Sequence, residues 1–504
     1  MGKKFTSTRS EQFYVSAKEA LKKGLASDRG LFVDPELGEE QLDLAEILNL
    51  DYQELAQKIL ACLLPDFSPA EIKASVLNAY DDKFDSKQIT PLRQVGGFYA
   101  LELWHGPTSA FKDLGLQILP YLLKYAISPG ERSLVLTATS GDTGKAALEG
   151  FKDTENVGIV VFYPDGGVSS IQEKQMLTTN GTNTKVAAIT GNFDDAQQHV
   201  KEIFNDVQLQ EKLGERVHLS SANSINIGRL APQVVYYFAA YQQLVAQGTI
   251  ELGDQVNFTV PTGNFGDVLA GYYAKLLGLP VKKLIVASNA NNVLVDFFSN
   301  GVYDRNRPFL QTAAPSMDIQ VSSNLERLLY YESGLDSGYV KKLMDQLEAT
   351  GRYQITAKLL ENLQADFACG YSTDAQIKAA IREVYEQEGY LMDPHTAAGY
   401  HVMHAYQKRD STPMVLLSTA NPYKFAETTA QALWPQANLP ADTVSLMQKI
   451  AEYTHMSIPQ NLLELDHLPQ RSKKVLVPAE MQEYVKEQTE AIFDDQSQST
   501  SNQR

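Results

Sequence analysis

The 504-residue chain contains only two cysteines, Cys62 and Cys369. Two thiols so far apart in sequence build neither a disulfide framework nor a cysteine-rich zinc site, which fits a reducing compartment. Long hydrophobic runs are missing as well. Stretches such as ILACLL near residue 60 are too short to span a bilayer, and MGKKFTSTRS lacks the apolar core of a secretion signal. These absences predict a soluble cytoplasmic protein with no membrane partner. Gly2 and Thr6 fit the loose N-myristoylation pattern, a six-residue match that recurs by chance. Positive charge is in deficit, with 44 Lys and Arg against 61 Asp and Glu, a net −17. A general nucleic-acid binder needs a basic face to displace counterions, so the balance argues against one. A small anion can still be held where cations gather in one pocket.

A hydrophobic fraction of 43% and a charged fraction of 21% describe an ordinary folded protein. At roughly 100–200 residues per domain, the length suggests about three units. Residues 1–92 read as mostly helical: SAKEALKKGLA and LDYQELAQKILACLL space apolar residues helically, and SPAEIKASVLNAY opens with a serine–proline helix start. From 93 to 435, short apolar runs alternate with amphipathic helices such as GRLAPQVVYYFAAYQQLVAQG. SLVLTAT, VGIVVFYP, TKVAAIT, QVNFTVPT, KKLIVAS and PMVLLSTA are the strand candidates, many of them apolar throughout rather than alternating, as buried parallel strands are. This predicts an α/β core with crossover helices. Residues 436–504 read as a helical extension ending in a polar, mobile tail, DDQSQSTSNQR.

Three strand-end segments carry the chemistry. In LELWHGPTSAFKDLGLQ, Lys112 follows a Gly-Pro-Thr-Ser turn and an aromatic, at the start of a helix. Most lysines are surface charges on amphipathic helices. One in apolar surroundings loses its proton more readily, and the neutral amine is what Schiff-base chemistry requires. In LTATSGDTGKAALEGF, an apolar strand runs through a glycine turn into a helix N-terminus, pointing backbone N–H groups at an anion. Its Gly144-Lys145 resembles a P-loop ending. The match fails, because Thr139 stands where glycine is needed and Ala146 replaces the magnesium-binding hydroxyl. NFTVPTGNFGDVLAGYYAKLLG repeats the strand–turn–helix device. A single glycine turn is usually only a turn; two of them beside an apolar lysine predict a ligand site at strand C-termini.

These segments resemble the threonine synthases, pyridoxal-phosphate enzymes of fold type II. The resemblance runs from STR at 7–9 to ANPYKF at 420–425, covering most of the chain. It implies two open, mostly parallel twisted sheets flanked by helices, with a helical N-terminal domain and a C-terminal extension. HGPTSAFKD is similar to the cofactor-lysine motif, which implies that Lys112 forms the Schiff base and is the catalytic residue. TSGDTG resembles the loop for the amino-acid carboxylate, casting Ser140, Gly141, Asp142, Thr143 and Gly144 in that role. GNFGD resembles the cofactor-phosphate loop, through Gly263, Asn264, Phe265, Gly266 and Asp267. LSTANPYKF resembles the motif whose threonine, here Thr419, faces the pyridine nitrogen.

The implied reaction converts O-phospho-L-homoserine and water into L-threonine and phosphate, with Lys112 moving protons at Cα and Cβ. A dianionic substrate needs donors despite the net charge. SSANSINIGR offers Arg229 with Ser221, Asn223 and Asn226; SMDIQVSSNLERLL offers Ser322, Ser323, Asn324 and Arg327; Lys174 is a weaker candidate. Each could equally be a cap or a surface ion pair. His105 is placed to pack or hydrogen-bond near the site. His395 and the pair His401/His404 lack a ligand set and read as helix packing, so no metal is expected. Two residues depart from the family pattern: Arg29, where glycine is usual, and Asn421, where histidine is commoner. A phospho-lyase or a hydroxyamino-acid dehydratase of the same fold would use the same lysine and loops. A monomer or a homodimer is equally compatible with the sequence.

Overall fold

The computed structural model describes residues 4–191, 193–204, 206–213 and 216–501. Sixteen strands are present among them. They are β1 (Phe5–Ser7), β2 (Ser10–Val15), β3 (Phe32–Val33), β4 (Leu92–Val95), β5 (Phe98–Glu102), β6 (Arg132–Ala138), β7 (Val157–Pro164) and β8 (Thr184–Ile189). The rest are β9 (Val217–Ser221), β10 (Val256–Pro261), β11 (Val281–Ser288), β12 (Val302–Asp304), β13 (Arg352–Gln354), β14 (Phe367–Tyr371), β15 (Met414–Ser418) and β16 (Val475–Leu476).

Two sheets organise the molecule. One has six strands in the order β14-β11-β10-β15-β5-β4, parallel except for β4, which runs antiparallel to β5. The other has five parallel strands in the order β16-β8-β7-β6-β9. All six apolar runs singled out in the sequence form strands of these sheets. Most of their residues are buried, on both faces, as in β7, where all eight are buried. The helix Gln233–Ala246 packs its aromatic face, including Tyr236, Tyr237 and Tyr241, into the largest core.

Within residues 4–80 the expected helices form, but they cover less than half of the segment, and there is one addition. The helix Tyr52–Leu63 is closed by an Asp51–Glu54 capping box and Pro69–Ala79 by a Ser68–Glu71 one. The addition is a small antiparallel sheet, β2-β1-β3, made from runs too short to read as strands. Thr6 is buried in β1, and Gly2 of the acylation pattern lies outside the described residues. Arg29, at the position where glycine is usual, has φ 67°, the left-handed conformation that glycine adopts most easily. Its guanidinium lies 3.0 Å from the Glu348 carboxylate.

The C-terminal residues add to both sheets. The helix Thr443–Thr454 packs beside the six-stranded sheet's helices, through Leu446, Met447 and Ile450. β16 extends the five-stranded sheet, and Met481, Val485, Ile492 and Phe493 join that sheet's core. The last helix, Met481–Ser501, runs into the segment expected to be a mobile tail, and residues 502–504 lie outside the described residues. Among the described residues, no helix is long and apolar enough to cross a membrane.

Candidate active site

The C-terminal ends of β5, β10 and β15 from one sheet face those of β6 and β9 from the other, and a cavity lies between them. Its walls include Lys112, Ser140, Asp142, Thr143, Asn223, Arg229, Thr419 and all five residues from Gly263 to Asp267. Residues far apart in sequence thus meet where open α/β sheets place their ligands.

Lys112 sits at the N-terminus of the short helix Asp113–Leu116. The turn before it is tied on three sides. Asp113 Oδ2 accepts from Thr108 N–H at 2.8 Å, and Asp113 Oδ1 accepts from the Thr108 hydroxyl at 2.7 Å. Burial pushes the Asp113 carboxyl up to about 6. Phe111 N–H donates to Thr419 O at 2.8 Å and Asn421 N–H to Ser109 O at 3.0 Å, locking the turn to the end of β15. Asn421 also caps the following turn by accepting from Tyr423 N–H. From the C-terminal residues, Asn461 Nδ2 donates to Pro107 O at 2.6 Å. Burial lowers the Lys112 amine below the usual lysine range, Asp142 opposes the shift, and Arg229 and Lys424 reinforce it.

In the turn after β6, Gly141 has φ 134°, and a Cβ there would meet the Gln172 side chain at 2.3 Å. Thr139 Oγ1 accepts from both Gly141 N–H and Gly144 N–H, at 2.9 and 2.8 Å. Those two glycines therefore shape the turn, while Ser140, Asp142 and Thr143 reach the cavity. Lys145 turns away, donating to Glu149 and Thr179. Asp142 lies 3.4 Å from Lys112 Nζ and 3.0 Å from Lys424 Nζ. Burial alone would raise this carboxyl, but the two lysines and Gln172 hold it far below the usual carboxylate range.

The turn after β10 is built differently. Phe265 has φ 64°, an uncommon conformation for an aromatic, and packs its ring against Phe298 and Phe367. The helix Gly266–Leu276 then points its N-terminus at the cavity. Asp267 Oδ1 accepts from the Tyr236 and Tyr237 hydroxyls at 2.5 and 3.0 Å. Asp267 Oδ2 and Asn264 Oδ1 are buried without a partner among the described residues. Burial pushes the Asp267 carboxyl up to about 7, against the pull of the two phenols.

Arg229 is buried, donating to Ala222 O at 2.8 Å and to the Thr143 hydroxyl at 3.4 Å, and burial lowers it to about 10. Asn223 joins it on the cavity wall. The other anion candidates lie elsewhere. Asn226 caps the helix Ile227–Leu230 and donates to Leu21 O and Ser221 O. The Ser221 hydroxyl accepts from Asn223 N–H at 3.1 Å, one step behind the wall. Asn324 donates to Ser224 Oγ and Asn264 O, and the fully buried Arg327 donates to Phe32 O and Ile225 O. Both are scaffold because backbone carbonyls and neighbouring side chains use their donors. The Ser322 hydroxyl donates to Gly263 O at 2.8 Å, and Ser322 and Ser323 line a neighbouring cleft. Lys174 pairs with Asp466.

His105 stands between Asp85 and Glu102, outside the cavity wall. His404 stacks on Tyr400. His395 packs against Phe425, as expected, and also lines the cavity. Its Nε2 accepts from Ser316 N–H at 3.1 Å and its Nδ1 lies 2.7 Å from buried Asp393 Oδ1, which places the ring proton on Nδ1. His395, Ser316 and Lys424 were not read as site residues. The Asp-Pro-His start of a helix and the lysine inside ANPYKF were the available signals.

The sequence matches the family of pyridoxal-phosphate dependent enzymes over residues 84–419. It matches the threonine synthase N terminus over 4–80 and the threonine synthase C-terminal family over 396–485. The threonine synthase of Pseudomonas aeruginosa is 40% identical over 451 residues, covering 88% of this chain and 94% of its own. The chain belongs to the threonine synthase family. The crystal structure of the PLP-bound threonine synthase of Brucella melitensis superposes with a TM-score of 0.83 at 37% identity, covering 97% and 99% of the two chains. The yeast threonine synthase structure gives 0.85 at 33% identity, covering 98% and 99%. Human threonine synthase-like 1 is 42% identical over 436 residues, 83% of this chain, and the chain spans only 58% of that longer relative. The fold is type II of the pyridoxal-phosphate enzymes, and the family's cofactor fits the residues present. A buried lysine with a lowered amine, a helix N-terminus and a strand-end threonine surround one cavity.

Proposed function

We propose that this chain is a threonine synthase, converting O-phospho-L-homoserine and water into L-threonine and phosphate. The reading is supported above all by Arg229, a buried guanidinium beside Thr143 in the same cavity as Lys112 and the loop from Gly263 to Asp267. A cavity with two separate anion-ready ends suits a substrate that brings its own phosphate to an enzyme whose cofactor carries another.

Pyridoxal phosphate, when bound, supplies the electron sink that makes the substrate's Cα proton removable. Lys112 would hold it, the loop from Gly263 to Asp267 would take its phosphate, and Thr419 would face its ring nitrogen. A hydroxyl there can hydrogen-bond a neutral pyridine and exerts no carboxylate's pull toward the protonated ring. The Lys112 amine, lowered by burial, accepts the Cα proton and returns protons later. Ser140 and Thr143 with their backbone N–H groups orient the amino-acid carboxylate. Arg229 and Asn223 hold the phosphate that leaves Cγ while water adds at Cβ. The chain is read as three units, 1–92, 93–435 and 436–504, acting in the cytoplasm as a monomer or a homodimer.

The test is product analysis with O-phosphohomoserine and pyridoxal phosphate, measuring threonine, 2-oxobutyrate and phosphate together. Equal threonine and phosphate, abolished in Lys112→Ala, support the synthase. Phosphate with 2-oxobutyrate would assign a phospho-lyase. Absence of phosphate from cofactor-loaded protein would overturn the substrate.

A further inference from the structure

Lys424 lies in the turn after β15, five residues beyond Thr419, and its side chain is wholly buried. Its ammonium donates to Asp142 Oδ1 at 3.0 Å and to Thr108 O at 2.8 Å. The second Asp142 oxygen faces Lys112 Nζ at 3.4 Å. Gln172 Nε2 donates to Oδ1 at 2.9 Å, and the Ser316 hydroxyl lies 3.5 Å from Oδ2. One buried carboxylate is therefore shared by two lysines, only one of which lines the cavity.

The arrangement sets a problem at Lys112. A buried carboxylate beside an amine favours the ammonium, and an ammonium has no lone pair for attack or for proton abstraction. The titratable groups facing Lys112 are Asp142 and Asp267 on the acidic side, and Arg229 and Lys424 on the basic side. His395 lies near Asp142, with its Nε2 occupied by Ser316 N–H. Lys424 is placed behind Asp142, away from the cavity, so it can offset the anion without competing for a ligand. We propose that Lys424 is a positioning residue: by neutralising Asp142 it keeps the Lys112 amine available in its uncharged form. The same strand-end turn thus supplies Thr419 on the cavity side and the compensating charge behind it.

The proposal rests on the reading that Lys112 carries the cofactor. Borohydride reduction followed by peptide mass analysis tests that reading separately, by showing whether the cofactor is trapped on Lys112. On holoenzyme so verified, the pH midpoint of the cofactor's visible band reports the charge state at Lys112. Lys424→Met is expected to move the midpoint up by about one pH unit or more, and Lys424→Arg to restore it. Asp142→Asn is expected to move it down. The double variant Asp142→Asn/Lys424→Met removes both charges and is expected to return close to wild type. Should Lys424→Met fail to fold, the double variant against Asp142→Asn decides: a higher midpoint in the double supports the proposal. Equal midpoints in that pair, or an unmoved midpoint in folded Lys424→Met, would overturn it and leave Lys424 as packing alone.

Discussion

In the five-stranded sheet, β6 ends in a glycine turn and Asp142 opens the next helix; in the six-stranded sheet, β10 does the same with Asp267 in the helix's first turn. Both carboxyls are buried and line the same cavity. Asp142 is surrounded by Lys424, Lys112 and Gln172 and stays ionised. Asp267 has two phenol donors on one oxygen, none on the other among the described residues, and is pushed up to about 7. The same topological device therefore carries a compensated negative charge in one half and a carboxyl that takes up its proton near pH 7 in the other. The difference follows from what surrounds each carboxyl: two lysines and an amide hold Asp142 ionised, whereas burial at Asp267 is opposed mainly by two phenols. If the loop from Gly263 to Asp267 takes the cofactor phosphate, as proposed, a protonated Asp267 can donate to it where a carboxylate would repel it.

The contrast can be broken by substitution. Asp142→Ala leaves Lys424 buried and unpaired, and urea denaturation should show a loss of about 3–5 kcal/mol. Asp267→Asn removes no needed charge and should retain cofactor, with the affinity measured by fluorescence titration changing less than about tenfold. If Asp267→Asn loses the cofactor as completely as Lys112→Ala loses activity, the neutral-carboxyl account fails.

The pH dependence of stability separates the two carboxyls by sign. Asp142 is depressed in the folded state, so its stabilisation is present above the unfolded carboxylate value, about 3.9, and is lost as pH falls below it. Asp267 is raised, so the folded state binds the extra proton between about 4 and the folded value of about 7. Stability of the apo-enzyme should therefore fall by on the order of 2–4 kcal/mol as pH rises through that window, and Asp267→Asn should flatten the slope. Thermal unfolding at matched ionic strength reads both.

A smaller effect is expected at His105, whose burial lowers it less than Asp85 and Glu102 raise it. Its folded value lies above the unfolded one, so its contribution is complete below about pH 6.5 and lost as pH rises through the folded value. Asp85 is largely exposed, which limits the contribution to under about 1 kcal/mol. His105→Gln should remove that term without altering the cavity.

Much of this site was legible in the sequence. Continuous apolar runs mark the parallel strands, because burial on both faces removes the alternation that a one-sided strand would show. The glycine turns and the lysine among apolar residues announce themselves locally. Pairing across the sheets does not. Nothing near Asp142 in sequence indicates that Lys424 approaches it, or that Asn461 holds the lysine turn. Arg327 in SSNLERLL reads equally as an anion ligand or a structural residue, and only the fold shows that its donors go to the Phe32 and Ile225 carbonyls. β1, β3 and β16 are only two or three residues long, too short for any period to emerge.

The contrast between the two carboxyls is tested most directly by infrared difference spectroscopy of the holoenzyme at about pH 6, comparing wild type with Asp267→Asn and with Asp142→Asn. The account predicts that the carbonyl stretch of a protonated carboxyl disappears in Asp267→Asn and is unchanged in Asp142→Asn. A protonated band assigned to Asp142, or an ionised Asp267 beside the bound cofactor, would contradict it.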